Sequence, residues 1–214
     1  MIKISETTVI RLTTYLKYLR QLEEKGIELL SSKDIAEGVG IPAHNVRKDL
    51  AFFGEFGTRG VGYNTKSLIS SISKILGVNK KWNVVLVGAG KVGAALVTYD
   101  IFKKRGFNIV AVFDSDTTKI GKTIGDMTIM PLEEIPGIVS KYDVKIGIMA
   151  VPLTHAQGIA NLFIENNIEG ILNFAPTFLK VPKSIYVQNA DFTALLESIT
   201  FKHTNREMLN FKFI

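Results

Sequence analysis

The feature that most constrains the fold is the stretch VVLVGAGKVGAAL, residues 84–96, in which four apolar residues run into a Gly-x-Gly-x-x-Gly motif. With a strand before it and a helix after it, such a motif binds the pyrophosphate of a dinucleotide. We predict that Gly88 permits the tight turn, Gly90 lets the backbone approach the pyrophosphate, and Gly93 allows close packing of helix on strand. The first N–H groups of the helix supply donors and positive potential for the anion.

An acidic residue follows at the distance that a dinucleotide site requires. The segment IVAVFD ends at Asp114, which lies 21 residues past Gly93. A carboxylate in this position accepts hydrogen bonds from a ribose diol and repels a 2′-phosphate, so it favours NAD over NADP. Lys119 lies near the same edge, and its positive charge would weaken this preference for NAD. The residues alone also fit a Rossmann domain that is empty or that holds coenzyme A.

From Trp82 onward, short apolar strands alternate with helical segments. Near-continuous apolar strands in this alternation indicate a parallel sheet that helices cover on both faces. The expected fold class is therefore α/β, with a Rossmann-like doubly wound parallel sheet. The predicted strands are 83–87, 109–113, 127–130, 146–150, 171–174 and 185–187, and the predicted helices are 91–104, 132–139, 156–166 and 192–209.

The N-terminal segment carries most of the positive charge. Of the formal net charge of +6, residues 1–81 contribute 13 Lys and Arg against 8 Asp and Glu, whereas residues 82–214 contribute 13 against 12. An excess that is concentrated in one segment favours a polyanionic partner over a mere role in solubility.

The composition excludes several other classes of protein. The chain has no cysteine, which rules out disulfides, thiolate catalysis and cysteine-bound zinc, and its three histidines are far apart in sequence. We therefore expect no metal site. The sequence has no run of 18 apolar residues and no signal-peptide core at its start, so we expect a cytoplasmic protein without a membrane partner.

The residues before the linker at 77–82 follow the element order of a winged helix. Ser31 and Asp34 resemble a capping box, and Pro42 suits the first turn of the next helix. Four glycines between Gly54 and Gly62 indicate a hairpin rather than a flexible linker. The predicted elements are helices over 5–24, 31–37 and 42–54, a hairpin that turns around Thr58-Arg59-Gly60, and a helix over about 65–76.

The third of these helices is the candidate recognition helix. Val46, Leu50 and Phe53 would face inward, which leaves donors on the other faces to reach base edges and phosphates. Arg59, beside Gly60 at the tip of the wing, is placed to enter a minor groove. The alternative is a solvated helix face with no DNA partner. The candidate DNA-binding residues are His44, Asn45, Arg47, Lys48, Arg59 and Gly60.

Four stretches together resemble the Rex family of redox-sensing transcriptional repressors: VRKDLAFFGEFGTRGVGY, LVGAGKVGAAL, VAVFDSDTTKIG and GILNFAPTFLKVP. The resemblance spans about Ser5 to Ile199. It implies a homodimer of winged-helix heads and Rossmann bodies, whose last helix swaps onto the partner's Rossmann domain. It also implies a repressor that binds palindromic double-stranded operator DNA in the presence of NAD and is released by NADH. The implied domains are residues 1–79 for DNA binding, 80–190 for NAD(H) binding and 191–214 for dimerisation.

The resemblance also assigns roles residue by residue. It places Val151 and Pro152 on the nicotinamide side of the site and Phe192 in the partner's pocket. It also implies a switch in which one acidic side chain contacts a tyrosine in one state and an arginine in the other. The candidate switch residues are Arg11, Tyr99 and Asp191. The candidate NAD(H)-binding residues are Gly88, Ala89, Gly90, Lys91, Val92, Gly93, Tyr99, Asp114, Lys119, Ala150, Val151, Pro152, Asn173 and Phe192.

Three alternatives remain open at this point. The first is a small NAD-dependent dehydrogenase with a basic N-terminal cap, for which His155 and Tyr99 are the candidate acid–base groups. No partner with catalytic spacing accompanies His155, so we predict that the chain is not an enzyme. A coenzyme A-binding module would explain the glycine motif but not the basic residues before it. A structural dimer that only tethers DNA would bind DNA regardless of ligand.

Overall fold

The computed structural model describes residues 4–58 and 60–206. These residues divide into two compact units, residues 4–58 with 60–80 and residues 81–206, which we call the head and the body. The predicted fold class, a winged helix–turn–helix unit followed by a Rossmann-like doubly wound sheet, is confirmed. Within the described residues, no helix is both long and apolar enough to cross a membrane.

The head consists of four helices and a small antiparallel sheet. Ser31 and Asp34 form the predicted capping box, with Ser31 accepting from the N–H of Asp34 and Asp34 accepting from the N–H of Ser31. The strands lie in the order β1-β3-β2, so β2 and β3 are the predicted hairpin of the wing. The elements are α1 (Glu6–Glu24), β1 (Leu29–Leu30), α2 (Ser32–Val39), α3 (Ala43–Phe53), β2 (Gly57–Thr58), β3 (Gly62–Asn64) and α4 (Thr65–Ile75).

One apolar core holds the head together. Leu12, Leu16 and Leu19 of α1 are buried in it together with Val46 and Leu50 of α3, while Phe53 packs at the edge of the same core. This burial fixes which face of α3 points inward, and it leaves the predicted recognition residues on the remaining faces.

The body is a seven-stranded sheet in the order β10-β9-β8-β4-β5-β7-β6, with β6 antiparallel at one edge and every other pairing parallel. Its strands are β4 (Trp82–Val87), β5 (Phe107–Phe113), β6 (Thr123–Ile124), β7 (Met127–Met130), β8 (Ile146–Met149), β9 (Gly170–Asn173) and β10 (Tyr186–Asn189). Its helices are α5 (Lys91–Val97), α6 (Asp100–Lys104), α7 (Ile135–Tyr142), α8 (Leu153–Glu165) and α9 (Phe192–Thr204).

The central strand β4 marks the place where ligands bind in such sheets. It pairs with β5 on one side and with β8 on the other. The chain runs outward from β4 through β5 and β7 before it crosses back to β8, so the carboxyl end of β4 is a topological switch point. The glycine motif begins at this end of the strand.

Both faces of the sheet are buried, as the near-continuous apolar strands predict. One face packs against α7 and α8, and its core includes Val85, Phe113 and Phe163. The other face packs against α5 and α6. This two-sided covering explains why residues 84–87 of β4 form an unbroken apolar run rather than an alternating one.

The helices predicted over 132–139 and 156–166 begin three residues away from the observed starts of α7 and α8, and the other two predicted for the body were also wrong in extent. The helix predicted over 91–104 breaks after Val97, and α6 starts afresh at Asp100. Thr98 donates its hydroxyl to the carbonyls of Ala94 and Ala95, a local bond that competes with continuation of the helix. The last helix, predicted over 192–209, ends at Thr204 with Asn205 as its C-cap, and residues 207–209 of that prediction lie outside the described residues. The two-residue strands β1 and β6 were not predicted.

We expect Gly147→Ala to destabilise the body by about 1–3 kcal/mol, the usual cost of an overpacked core. The added methyl would collide with the fully buried ring of Phe163 on α8. Gly137→Ala is the matched control: Gly137 lies exposed on α7, where a methyl meets nothing, and alanine there gains up to about 1 kcal/mol in helix propensity. Urea unfolding of both variants measures the difference, and equal stabilities would contradict this packing of α8 on β8.

Candidate functional site

Two of the three glycines in the motif are required by the chain itself. Gly88 has a φ of +106°, which strongly favours glycine, and a side chain there would collide with the carbonyl of Ala150 after β8. A side chain at Gly93 would collide with the carbonyl oxygen of Gly88, because α5 lies directly against the loop. These contacts agree with the predicted roles of the first and third glycines in the turn and in helix packing.

The middle glycine has no such reason within the protein. Gly90 is the N-cap of α5 with a φ of −83°, which any residue adopts, and a methyl group there would meet no atom within 4 Å. Neither backbone strain nor packing explains a glycine here. A ligand that lies against the backbone does explain it, and the start of a helix is where a pyrophosphate is held. The loop therefore fits a dinucleotide.

A cavity of about 970 Å³ opens above this loop, and we call it the glycine-loop cavity. Its size is at the upper end of the range for small-molecule sites. It gathers most of the predicted NAD(H)-binding residues and also His155 of the dehydrogenase alternative. Its lining includes Gly88, Gly90, Lys91, Val92, Asp114, Asp116, Lys119, Leu132, Ala150, Val151, Pro152, His155, Gly158 and Glu165.

Of the other predicted residues, Ala89 and Gly93 belong to the glycine loop without lining the cavity, and three more lie elsewhere in the body. Asn173 and Phe192 line a separate cavity of about 620 Å³ together with Asp191. Tyr99 lies half-exposed between α5 and α6, with its ring edge-on to Phe102, and lines a third cavity of about 320 Å³. One copy of the chain therefore does not bring these residues to the glycine loop.

Asp114 makes a contact that the sequence did not reveal. Its buried carboxylate accepts hydrogen bonds from the N–H of Ala89 at 2.8 Å, from the N–H of Asp116 at 2.9 Å and from Nζ of Lys119 at 3.0 Å. Burial alone would raise the pKa of the Asp114 carboxyl, but these donors and the charge of Lys119 hold that pKa below its usual value. The ionised acid thus ties the glycine loop to the end of β5, besides any bond to a ribose.

Asp191 is the N-cap of α9. Its Oδ1 accepts from the N–H of Thr193 at 2.9 Å, from the N–H of Ala194 at 3.1 Å and from the Thr193 hydroxyl at 2.6 Å. The Thr193 hydroxyl and these N–H groups lower the pKa of the Asp191 carboxyl, which favours its ionised form. Asp191 therefore has a capping role, whatever it contacts in addition.

In the head, α3 presents most of the predicted recognition residues to solvent. His44, Arg47 and Lys48 are exposed, and Asn45 is half-buried. Arg47 donates to the hydroxyl of Ser32 at the start of α2, at 3.1 Å. In the wing, Gly60 has a φ of +82° in the turn between β2 and β3, which suits a glycine. Arg59 lies outside the described residues.

Arg11, the predicted switch arginine, already has a partner. Its Nε donates to Asp49 Oδ2 and its NH2 donates to Asp49 Oδ1, both at 2.6 Å. Sequence reasoning missed this pair because the two residues are 38 positions apart and no local pattern links them. Exchange of Arg11 onto Asp191 would first have to break a bidentate ion pair whose acid is buried, which is costly.

Among residues 4–58 and 60–206, no group of three or more His, Asp or Glu side chains is arranged to hold a metal ion. The described residues do provide an anion cradle at the start of α5, a buried acid beside it and exposed basic side chains on α3.

Comparison with known proteins identifies the family. A protein of Desulforamulus reducens named Redox-sensing transcriptional repressor Rex is 53% identical over 206 residues, which cover 96% of this chain and 98% of the relative. The chain belongs to the Rex family of redox-sensing transcriptional repressors. Rex proteins are repressors and not enzymes, so the prediction of a non-enzyme is confirmed and the dehydrogenase alternative is not favoured.

Solved structures and domain families agree with membership in the Rex family. RSP, a Rex-family repressor, has a similar fold. Its complex with β-NAD+ and operator DNA gives a TM-score of 0.89 at 33% identity and covers 98% of this chain and 96% of RSP. Its complex with β-NADH gives a TM-score of 0.86 at 32% identity, and the match covers 98% of this chain and 98% of RSP. The family described as "Putative DNA-binding protein N-terminus" matches residues 3–51, and the one described as "CoA binding domain" matches residues 79–177.

Alanine substitutions at the three glycines of the motif should fall into two classes by their effect on the stability of this Rex protein. We expect Gly88→Ala and Gly93→Ala to lower the free energy of unfolding by at least about 1–3 kcal/mol, because each methyl meets a carbonyl. Gly90→Ala should leave stability unchanged or slightly raised, since its methyl enters open space. Urea denaturation without ligand checks this, and a loss at Gly90 equal to that at Gly93 would contradict the loop geometry.

Proposed function

We propose that this chain represses transcription by binding operator DNA through its head, and that it leaves the DNA once the glycine-loop cavity holds NADH. The observation that carries the proposal is Gly90. Neither the backbone conformation nor the packing at this position requires a glycine, whereas a bound pyrophosphate does require one. The RSP complexes with β-NAD+ and operator DNA and with β-NADH support the same assignment by similarity. Such a repressor acts in the cytoplasm, with NADH and NAD as its two effectors.

The cavity offers a place for each part of the dinucleotide. The pyrophosphate lies against Gly90 at the start of α5, and the adenine ribose lies near Asp114 and Lys119. The nicotinamide half lies toward Val151 and its neighbours after β8. Asp114 and Asp116 outnumber Lys119 at the ribose edge, so this edge keeps a net negative charge and favours NAD(H) over its 2′-phosphorylated form.

For the head, we assign DNA contacts to α3 and to the wing. His44 and Asn45 lie in the first turn of α3, the part of a recognition helix that contacts base edges in the major groove. Arg47 and Lys48 supply positive charge for base edges or phosphates. Arg59 and Gly60 at the tip of the wing are placed for the minor groove. The binding is to double-stranded DNA.

The protein functions as a homodimer in this proposal. No residue of α9 is buried, and Phe192, Leu195, Leu196 and Ile199 are each 62–63% exposed. A helix with a wide apolar stripe buries that stripe against another element. We assign that element to the second copy of the chain, onto which α9 swaps. A two-fold symmetric dimer then reads a palindromic operator, one half-site per head.

Coupling between the sites needs only that NADH and DNA prefer different arrangements of the dimer. We place Asp191 and Phe192 at the partner subunit's nicotinamide pocket, with Tyr99 of the partner subunit as a hydroxyl donor to Asp191. Arg11 is left out of this contact because it is held by Asp49.

We expect Gly90→Ala to weaken NADH binding at least tenfold, a loss of about 1.4 kcal/mol, because its methyl would occupy the place of the pyrophosphate. Isothermal titration of NADH into the full-length protein measures the effect, with Gly137→Ala as the control that should bind like the wild type. In the same calorimetric titration of the wild type, added coenzyme A should not compete with NADH. Undiminished NADH affinity in Gly90→Ala, or displacement of NADH by coenzyme A, would contradict the assignment of the cavity.

We expect the double substitution Leu195→Asp and Ile199→Asp to convert the dimer to monomer, because it buries two carboxylates in the proposed interface. His203→Asp lies exposed on the same helix near its end and is the control that should remain dimeric. Sedimentation equilibrium at micromolar concentration distinguishes the two states. A wild-type monomer, or a double variant that stays dimeric, would count against the role of α9.

A further inference from the structure

We propose that Arg11 and Tyr15 of α1 are positioning residues for DNA binding, because together they hold the buried carboxylate of Asp49 on the inner face of the recognition helix α3. The proposal rests on the proposed function, since it assigns DNA contacts to the outer faces of α3. It gives Arg11 a role other than the switch expected from the family resemblance.

The three side chains form a directional cluster. Arg11 grips Asp49 with two parallel bonds of 2.6 Å, from Nε to Oδ2 and from NH2 to Oδ1. The hydroxyl of Tyr15 donates to Asp49 Oδ2 at 2.8 Å. Arg11 NH2 also donates to the hydroxyl of Thr8, one turn earlier on α1, at 3.2 Å. A bidentate arginine–carboxylate pair fixes orientation as well as distance.

Burial makes this cluster unusual. Asp49 is 4% exposed and Tyr15 is fully buried, whereas a charged acid is almost never buried unless it is paired. Burial alone would raise the pKa of the Asp49 carboxyl, but the hydrogen bonds from Arg11 and Tyr15 and the charge of Arg11 lower it below its usual value. The hydrogen bond to Asp49 in turn raises the pKa of the Arg11 guanidinium. Both groups are therefore charged at neutral pH.

Stability gives no reason to keep a charged pair in this place. Replacement of a buried ion pair by apolar residues of similar volume is often neutral or stabilising. Apolar packing fixes which face of α3 points inward, and the bidentate pair adds a directional constraint to it, because two parallel hydrogen bonds must both stay close to linear. The cluster is thus better explained by geometry than by stability.

The position of Asp49 on α3 determines what that geometry controls. Val46, Asp49 and Leu50 form the buried stripe of α3, and Arg47 and Lys48 lie exposed beside it. In the head, α3 packs mainly on α2, and α1 packs on α2 and α4, so the backbones of α1 and α3 approach each other little. The Asp49 cluster joins the two helices directly, and it sets the direction in which Arg47 and Lys48 point.

A recognition helix needs such control because base contacts tolerate little displacement, on the order of 0.5 Å and 10–20°. Phosphate contacts carry the sequence-independent part of the affinity and depend mainly on charge. Loosening α3 while keeping the net charge should therefore weaken binding to a preferred sequence more than binding to unrelated DNA.

The test uses full-length protein and a duplex selected from a random pool by the wild type, with an unselected duplex of equal length for comparison. Two variants keep the net charge, Arg11→Lys and Tyr15→Phe. Tyr18→Phe is the matched control, since it removes the same hydroxyl from the same helix at a residue that does not contact Asp49. We expect both variants to bind the selected duplex at least tenfold more weakly, with less than threefold change on the unselected duplex and on NADH.

A further variant separates positioning from stability. The triple substitution Arg11→Met, Tyr15→Phe and Asp49→Leu removes the cluster without leaving a buried hydroxyl unpaired and keeps an apolar core, so its unfolding midpoint should equal or exceed that of the wild type. We expect it to lose preference for the selected duplex nonetheless. All affinities are measured at a temperature where every variant is folded by circular dichroism.

Three outcomes would overturn the proposal. Unchanged affinity of Arg11→Lys and Tyr15→Phe for the selected duplex would show that the cluster is only structural. Equal losses on selected and unselected DNA, or an equal loss in Tyr18→Phe, would show a general effect on the head. If the wild type selects no duplex at all, the DNA-binding function itself fails and this inference fails with it.

Discussion

The close approach of α5 to the loop after β4 is the constraint on which the body depends. A side chain at Gly93 would meet the carbonyl of Gly88, and one at Gly88 would meet the carbonyl of Ala150. These contacts bring the start of α5 to the carboxyl end of the central strand, where the order in which the chain adds strands reverses. The open space at Gly90, the cavity beside it and the acid at the end of β5 all follow from that placement.

Head and body each use a buried, ionised aspartate to hold the element to which we assign ligand binding. Asp114 ties the glycine loop to β5 through Ala89, and Asp49 ties α3 to α1 through Arg11 and Tyr15. In both cases burial alone would raise the pKa of the carboxyl, but several hydrogen-bond donors lower this pKa by more than burial raises it. An acid held in this way fixes direction, which a sensor of small molecules and a reader of DNA both require.

Sequence patterns predicted most of the fold because the signals are local. The glycine motif, the capping box at Ser31 and the alternation of strands and helices each depend on residues a few positions apart. The contacts that sequence missed are tertiary: Arg11 and Asp49 are 38 positions apart, and the bond from Ala89 to Asp114 joins two loops. The break before Tyr99 was missed because helix periodicity continues through it, whereas in the structure the N–H of Tyr99 donates to Leu96 and a new helix begins at Asp100.

The function proposed for this chain makes DNA binding depend on the occupant of the glycine-loop cavity. This dependence can be followed through the fluorescence anisotropy of a labelled duplex, selected by the protein itself, while NADH or NAD is added to the complex. NADH should release the duplex over the concentration range in which NADH binds the protein, and NAD at the same concentrations should leave it bound. Release by neither dinucleotide, or equal release by both, would show that the cavity does not control DNA binding.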